Sequence, residues 1–232
     1  MPDDCSYEDP AYKQFFAEYL NAGHRYSVLF GGSAAGSAVV REHGENSATY
    51  AIDYGGPARI RGHVMGLATN VPVTKEVASS RQAPTPAERQ SASDLAKNLF
   101  AQAGAPPDLL ARIKVRNLTH TLLLPSKLPS LIGSFFIEVG EERGPTHNLF
   151  FIATFNGTGY APELAWTKIS KNELESENLT FVDQGDLLGD GDQEVIVLDQ
   201  GWENYVYRIY RRTKNDASHW EQIFETGIFG CA

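Results

Sequence analysis

The amino-acid sequence predicts an α+β fold dominated by antiparallel β structure, a sandwich or propeller-like set of sheets with two capped helices packed on them. Three observations carry this expectation. Short β-rich runs succeed one another at close spacing, separated by Gly, Asn, Ser and Pro turns. Only two stretches combine helical periodicity with capping residues. The chain, 232 residues with 42% hydrophobic and 21% charged residues, carries enough apolar material for a sizeable core.

The first helix is expected over residues 9–22. Asp9 suits the N-cap and Pro10 the first helical position. Phe15, Phe16, Tyr19 and Leu20 form an apolar stripe, and Gly23 ends it. Next come "RYSVLFGG", "SAVVREH", "ATYAIDY" and "ARIRGHVMGLA", which read as an antiparallel meander from Arg25 to about Ala68. The stretch 71–86 is polar and proline-containing, as a loop or linker is. The second helix opens on a capping box, Thr85 with Glu88, with Pro86 at the first helical position. Its apolar face comprises Leu95, Leu99 and Phe100 with Ala92, Ala96 and Ala103, and Gly104 closes it. "PPDLLARI" adds a further turn or two. The expected organisation is therefore a helix plus meander over 1–70, a linker or loop over 71–84, and a helix plus antiparallel β region over 85–232. One continuous domain and two domains both fit.

From Lys114 onward the chain reads as strands: "KVRNLTHTLLL", "LIGSFFIEV", "HNLFFIATF", "YAPELAWTKI", "LTFVD", "EVIVLD", "NYVYRIYRR" and "HWEQIFET". In "NYVYRIYRR", Tyr205, Tyr207 and Ile209 share one face. Pro125, Pro129, Pro145 and Pro162 belong at loops or edges.

The strongest local signal is "DLLGDGDQEVIVLD", Asp186 to Asp199. Calcium takes six to eight oxygens, several from carboxylates, with glycine where the chain turns sharply. With Asp186 as the first ligand, Asp190 is fifth, Gly191 sixth, Asp192 seventh through its carbonyl, and Glu194 ninth. Leu188 stands third and has no donor. Val197 stands twelfth, where an EF-hand needs glutamate, and a strand follows instead of a helix. The segment is not an EF-hand. It reads as a weak calcium site on Asp186, Asp190, Asp192 and Glu194, as a metal-free turn, or as a carboxylate cluster.

These residues resemble the FG-GAP or VCBS-type loop of integrin-like propellers and many exported bacterial proteins. That pattern is Asp-x-Asp/Asn-x-Asp-Gly-x-x-Asp/Glu followed directly by an apolar strand. Asp186, Asp190, Gly191, Glu194 and "VIVL" match it, Leu188 departs from it, and "GWENYVYRIYRR" with "HWEQIFE" extends the likeness over roughly the last fifty residues. The resemblance implies a connector between strands that often binds calcium. "TFNGTGYAPELAW" (154–166) reads either as a second copy without its acids or as an independent Gly-rich hairpin. Two copies cannot close a propeller, which needs about four to eight blades.

Other motifs fail. "GGSAAGSA" (31–38) has Ser37 where a phosphate loop needs lysine, and reads as a glycine hairpin. There is no His-Glu-x-x-His and no Gly-x-Ser-x-Gly. The six histidines are scattered, with His43 and His63 able to face each other across the meander. Trp166, Trp202 and Trp220 suit either a sugar or peptide groove or ordinary packing.

The net charge of −9 disfavours nucleic acid, and Arg208, Arg211, Arg212 and Lys214 read as a solvated strand end. No apolar run is long enough to span a membrane. Cys5 and Cys231 fit a bridge between the chain ends or two separate thiols, and Cys5 also suits a lipid anchor after a cleaved signal. Expected localisation is exported (periplasmic, extracellular or lipid-anchored) if a signal is removed, and cytoplasmic otherwise. The function expected is a non-enzymatic binding or structural domain for a protein or carbohydrate ligand. The alternative is a carboxylate-dependent hydrolase in the aromatic β region.

Overall fold

A computed structural model describes residues 10–43, 48–53, 65–70, 81–126, 128–139, 146–213 and 216–227. Asp9, His63, Pro145, Lys214 and both cysteines lie outside them. Two compact units divide the chain near residue 79.

The first unit holds α1 (Pro10–Tyr19) and four strands: β1 (Arg25–Phe30), β2 (Ser33–His43), β3 (Ala48–Asp53) and β4 (Leu67–Thr69). In α1, Phe16 and Tyr19 are half-buried, while Phe15 of the expected stripe is exposed. Gly31 and Gly32, both with positive φ (64° and 75°), form the two-residue hairpin between β1 and β2. Tyr26, Val28, Ala38 and Val40 make this unit's core.

The strand order is β3-β2-β1-β4, all antiparallel, so the sheet is not the simple meander expected from sequence. β4 returns beside β1, with Ser27 opposite Thr69. The chain between β3 and β4 is long enough to cross the three strand spacings, about 14 Å, that this placement demands.

The second unit is a three-layer stack of one helix on two sheets. α2 (Pro86–Gln102) starts on the expected capping box: Thr85 Oγ1 accepts the Glu88 N–H, and Glu88 Oε2 accepts the Thr85 N–H at 2.7 Å. It ends in a Schellman motif. Gly104 (φ 89°) donates to Ala101 O, and Ala105 donates to Phe100 O. Ala103 is therefore an exposed C-cap and not part of the apolar face. "PPDLLARI" contributes a single 3-10 turn, Leu110–Arg112.

β5 (Lys114–Leu122), β6 (Pro129–Glu138), β7 (Thr146–Phe155) and β8 (Tyr160–Lys168) pair in sequence order. β9 (Asn178–Gly185), β10 (Glu194–Gln200), β11 (Tyr205–Thr213) and β12 (Asp216–Glu225) form a second antiparallel meander. The first meander is the middle layer, which explains its unbroken apolar runs: a sheet buried on both faces needs no polar side. Leu131, Phe135, Ile137, Leu149 and Phe151 pack with Ala92, Ala96 and Phe100 of α2. The alternate residues Ile132, Phe150 and Ile152 pack with Phe181, Val195 and Val197 of the second meander. Gly133 sits where a Cβ would meet Phe135 at 2.7 Å and Leu118 at 3.0 Å, so the helix-facing surface of β6 has no room for a side chain there.

Polar pins join the two sheets. Thr121 Oγ1 donates to Gln184 Oε1 at 2.8 Å, and Ser134 Oγ donates to Leu179 O at 2.7 Å. Such buried polar groups are retained only when bonded. Pro129 opens β6, and Pro162 lies on the edge strand β8 beside a register shift, where no ladder bond is lost.

Glu88 does more than cap. Its Oε1 lies 2.6 Å from His120 Nδ1 on β5 and accepts the Tyr160 O–H on β8 at 2.9 Å. Burial pushes this carboxyl up, but the bonds from Thr85, His120 and Tyr160 outweigh burial and hold it at about 2. A carboxyl depressed below its ordinary 4.5 stabilises the fold above that pH and stops doing so as pH falls toward 2. Glu88→Gln is expected to cost about 1 kcal/mol near neutral pH. It should also flatten the acid limb of a urea-midpoint-versus-pH curve; an unchanged limb would refute this role.

Candidate functional site

The Asp186 loop joins β9 to β10, and glycine supplies its two left-handed positions, Gly189 (φ 74°) and Gly191 (φ 94°). Asp186 is consumed by the turn. Its Oδ1 accepts the N–H groups of Gly189 (2.7 Å) and Asp190 (3.1 Å), and its Oδ2 accepts that of Gly191 (3.0 Å). Leu188 is exposed. Glu194, fully buried, accepts the Leu187 N–H through Oε2 at 2.8 Å.

The remaining carboxylates converge on Arg211 of β11. Its Nη2 bonds Asp190 Oδ2 and lies 3.4 Å from Asp192 Oδ2, and its Nε lies 3.6 Å from Glu194 Oε1. Three of the four sequence-predicted ligands thus meet one guanidinium, and the fourth closes the turn. Asp186 is thus committed to backbone amides, and Leu188 brings no donor to the third position. Among the described residues no group of three or more His, Cys, Asp or Glu is arranged to hold a metal ion.

The expected solvated basic strand end is corrected. Arg211 and Arg212 are buried, and Arg208 is mostly covered. Arg212 Nη2 bonds Glu163 Oε2 at 2.9 Å and Thr154 Oγ1 at 3.1 Å, and its guanidinium lies 5.2 Å from the Trp220 ring centroid. β11 alternates as expected, but its core-facing set is Val206 and Tyr210 together with Arg208 and Arg212, while Arg211 lies on the other face with Glu194. Acids on neighbouring strands make that possible, because a buried guanidinium is tolerable only when paired.

The hairpin 154–166 is also an Asx-capped turn, with Asn156 Oδ1 accepting the N–H groups of Thr158 and Gly159, each at 3.0 Å. It joins the third and fourth strands of its meander, whereas the Asp186 loop joins the first and second of the next. The two turns are therefore not equivalent positions in a duplicated meander.

A second site was not foreseen. A groove of about 510 Å³ is lined by Lys168 of β8, Leu174 and Glu177 of the following loop, Asp199 of β10, Trp202, and Arg208 of β11. Trp202 and Leu174 are exposed at 50% and 71%. The floor is charged. Arg208 Nη2 lies 2.6 Å from Asp199 and 3.7 Å from Glu177, and its Nε donates to Glu225 at 3.0 Å. Lys168 lies 3.6 Å from Glu177. Burial first, then the neighbouring Glu177, push the Asp199 carboxyl up to about 7 against the pull of Arg208. One sequence signal points here. Asp199 has the same parity as Val195 and Val197, a charge at a core position of an apolar strand. Of the three tryptophans only Trp202 faces this groove; Trp220 is in the core between the sheets and Trp166 packs against it.

Among known proteins, no family model, no curated sequence and no solved structure matches the chain. No helix of the described residues is long and apolar enough to cross a membrane.

Proposed function

We propose that the second unit is a non-enzymatic ligand-binding domain of an exported protein. In this reading the FG-GAP-like loop is a calcium-type turn in which Arg211 supplies the positive charge, with calcium at most a weak competitor. The loop stiffens the sheet that carries the groove. The observation that carries the reading is the groove itself, where an exposed tryptophan and leucine stand over a polar floor. Recognition sites for small ligands combine such apolar contact area with a few fixed polar groups. The resemblance of the loop to those of exported proteins supports the localisation.

A carboxylate-dependent hydrolase is the second reading, favoured by the near-neutral Asp199, which suits a general acid. Against it, Asp199 and Glu177 lean on the same nitrogen of Arg208. Glycoside hydrolysis needs its two carboxyl groups about 5 Å or more apart with the sugar between them.

The test is binding to arrays of oligosaccharides and peptides by the parent and by Trp202→Ala. Retention of a ligand by the parent, weakened at least tenfold in the variant, is the expected result. Turnover of a glycoside or peptide that Asp199→Asn abolishes would replace this reading with the second. Export carries its own check: intact mass under non-reducing conditions distinguishes a Cys5–Cys231 bridge, two hydrogens short of free thiols, from the two separate thiols that the sequence equally allows.

A further inference from the structure

The groove is lined by five carboxylates, Glu175, Glu177, Asp199, Glu203 and Glu225, and by two cations, Lys168 and Arg208. Both cations are already paired, Lys168 with Glu177 and Arg208 with Asp199 and Glu225. With every acid ionised the lining carries three negative charges in excess, and two when Asp199 and Glu177 share a proton. Asp199 carries the clearest demand. It is 4% exposed, it lines the cavity, and its Oδ1 meets no hydrogen-bond donor. A buried acceptor left unpaired is costly and calls for a partner. Its neighbour Glu177 offers only carboxylate oxygens, so the two acids can bond each other only by sharing a proton. At the rim, Trp202 presents a half-exposed indole, the best aromatic partner for a cation.

From this geometry, and resting on the binding-domain reading, we infer that the groove takes an organic ammonium, a free polyamine or a lysine side chain, seated between Asp199 and Glu177 with its alkyl stem against Trp202. The ammonium replaces the shared proton. An N–H donates to Asp199 Oδ1 and a second donates to Glu177; the carboxyl O–H bond between them breaks, its proton passes to solvent, and no other bond forms or breaks. A neutral sugar satisfies neither the excess charge nor the proton balance, and an anionic ligand is repelled.

The consequence is a linkage between pH and affinity. The charged and titratable groups around Asp199 are Glu177 from the loop after β8, Lys168 from β8, Arg208 and the neutral phenol of Tyr210 from β11, and Glu225 from β12. Asp199 itself is driven to a near-neutral value, about 7. Below that value a proton must leave before the ammonium binds, so affinity should rise about tenfold per pH unit on approaching neutrality and level off above it.

The experiment titrates the full chain with spermidine, with acetyl-Gly-Lys-Gly-amide and with the neutral acetyl-Gly-Gln-Gly-amide, reading tryptophan fluorescence and calorimetric heat from mildly acidic to mildly alkaline pH. Two buffers of different ionisation enthalpy count the released proton on the parent protein. Expected are binding of one or both cationic probes, at least tenfold preference over the glutamine peptide, release of close to one proton at acidic pH, and loss of the pH dependence in Asp199→Asn. Glu177→Gln, at a partly exposed residue, provides the same readout should Asp199→Asn fail to fold. Preference for spermidine over the lysyl peptide identifies a free polyamine as the source, and the reverse identifies a peptide. Cationic binding without proton release, or equal affinity for the neutral peptide, overturns the inference. Binding of neutral oligosaccharides alone, still dependent on Trp202, overturns it while leaving the binding-domain reading in place. No Trp202-dependent binding of any probe overturns both.

Discussion

Arg211→Gln is expected to lower the melting temperature by roughly 10 °C. The substitution takes the guanidinium away from Asp190, Asp192 and the fully buried Glu194. Removing one partner of a buried ion pair costs about 3–5 kcal/mol, because the other charge stays buried and unpaired. Asp190 and Asp192 are about one-third exposed, so water screens their share and the lower end applies. For a chain of this size 1 kcal/mol shifts the midpoint by about 2–4 °C. The loss should shrink as pH falls, because burial raises the Glu194 carboxyl and its protonation removes part of the repulsion. A thermal melt of parent and variant at neutral and acidic pH checks both parts. A variant that melts within a degree or two of the parent would mean that the turn stands on the Asp186 and Glu194 backbone bonds alone.

Phe150→Ala is expected to be as damaging for a different reason. Phe150 is fully buried on the face of the central sheet that meets Phe181, Val195 and Val197. Truncating such a phenylalanine removes its transfer free energy and leaves a cavity, together about 3–5 kcal/mol. Phe224→Ala on the edge strand β12 is the control. That ring is 52% exposed, and its loss should change stability by no more than about 0.5 kcal/mol. Urea midpoints of the two variants give the comparison. Equal costs at Phe150 and Phe224 would contradict the three-layer packing.

Much of the second unit was legible because its signals are local. Thr85, Pro86 and Glu88 define a helix start without reference to the rest of the chain. Each of the eight apolar runs after Lys114 became a strand, since turn residues bound them at short intervals. What the sequence hid was set by partners far along the chain. β4 pairs with β1 rather than β3, a choice local pattern does not encode. Arg208 and Arg212 point inward because Asp199 and Glu163 wait on other strands. In the Asp186 loop, spacing reveals the carboxylates but not the guanidinium that reaches them from β11. The groove was invisible for the same reason: Glu177, Asp199, Trp202 and Arg208 come from separate segments, and only Asp199, a charge among valines, hinted at it.

We propose that Arg211, set among Asp190, Asp192 and Glu194, fills the place a bound cation would take in the Asp186 loop. The most direct measurement is a calcium titration, followed by thermal melting, of the parent and of Arg211→Gln, each against chelator. The expected result is a parent whose midpoint barely responds to millimolar calcium and a variant whose midpoint rises toward the parent's as the ion takes the vacated place among Asp190, Asp192 and Glu194. A parent stabilised by calcium as strongly as the variant would contradict the claim, because the metal would then bind beside the arginine rather than in its stead.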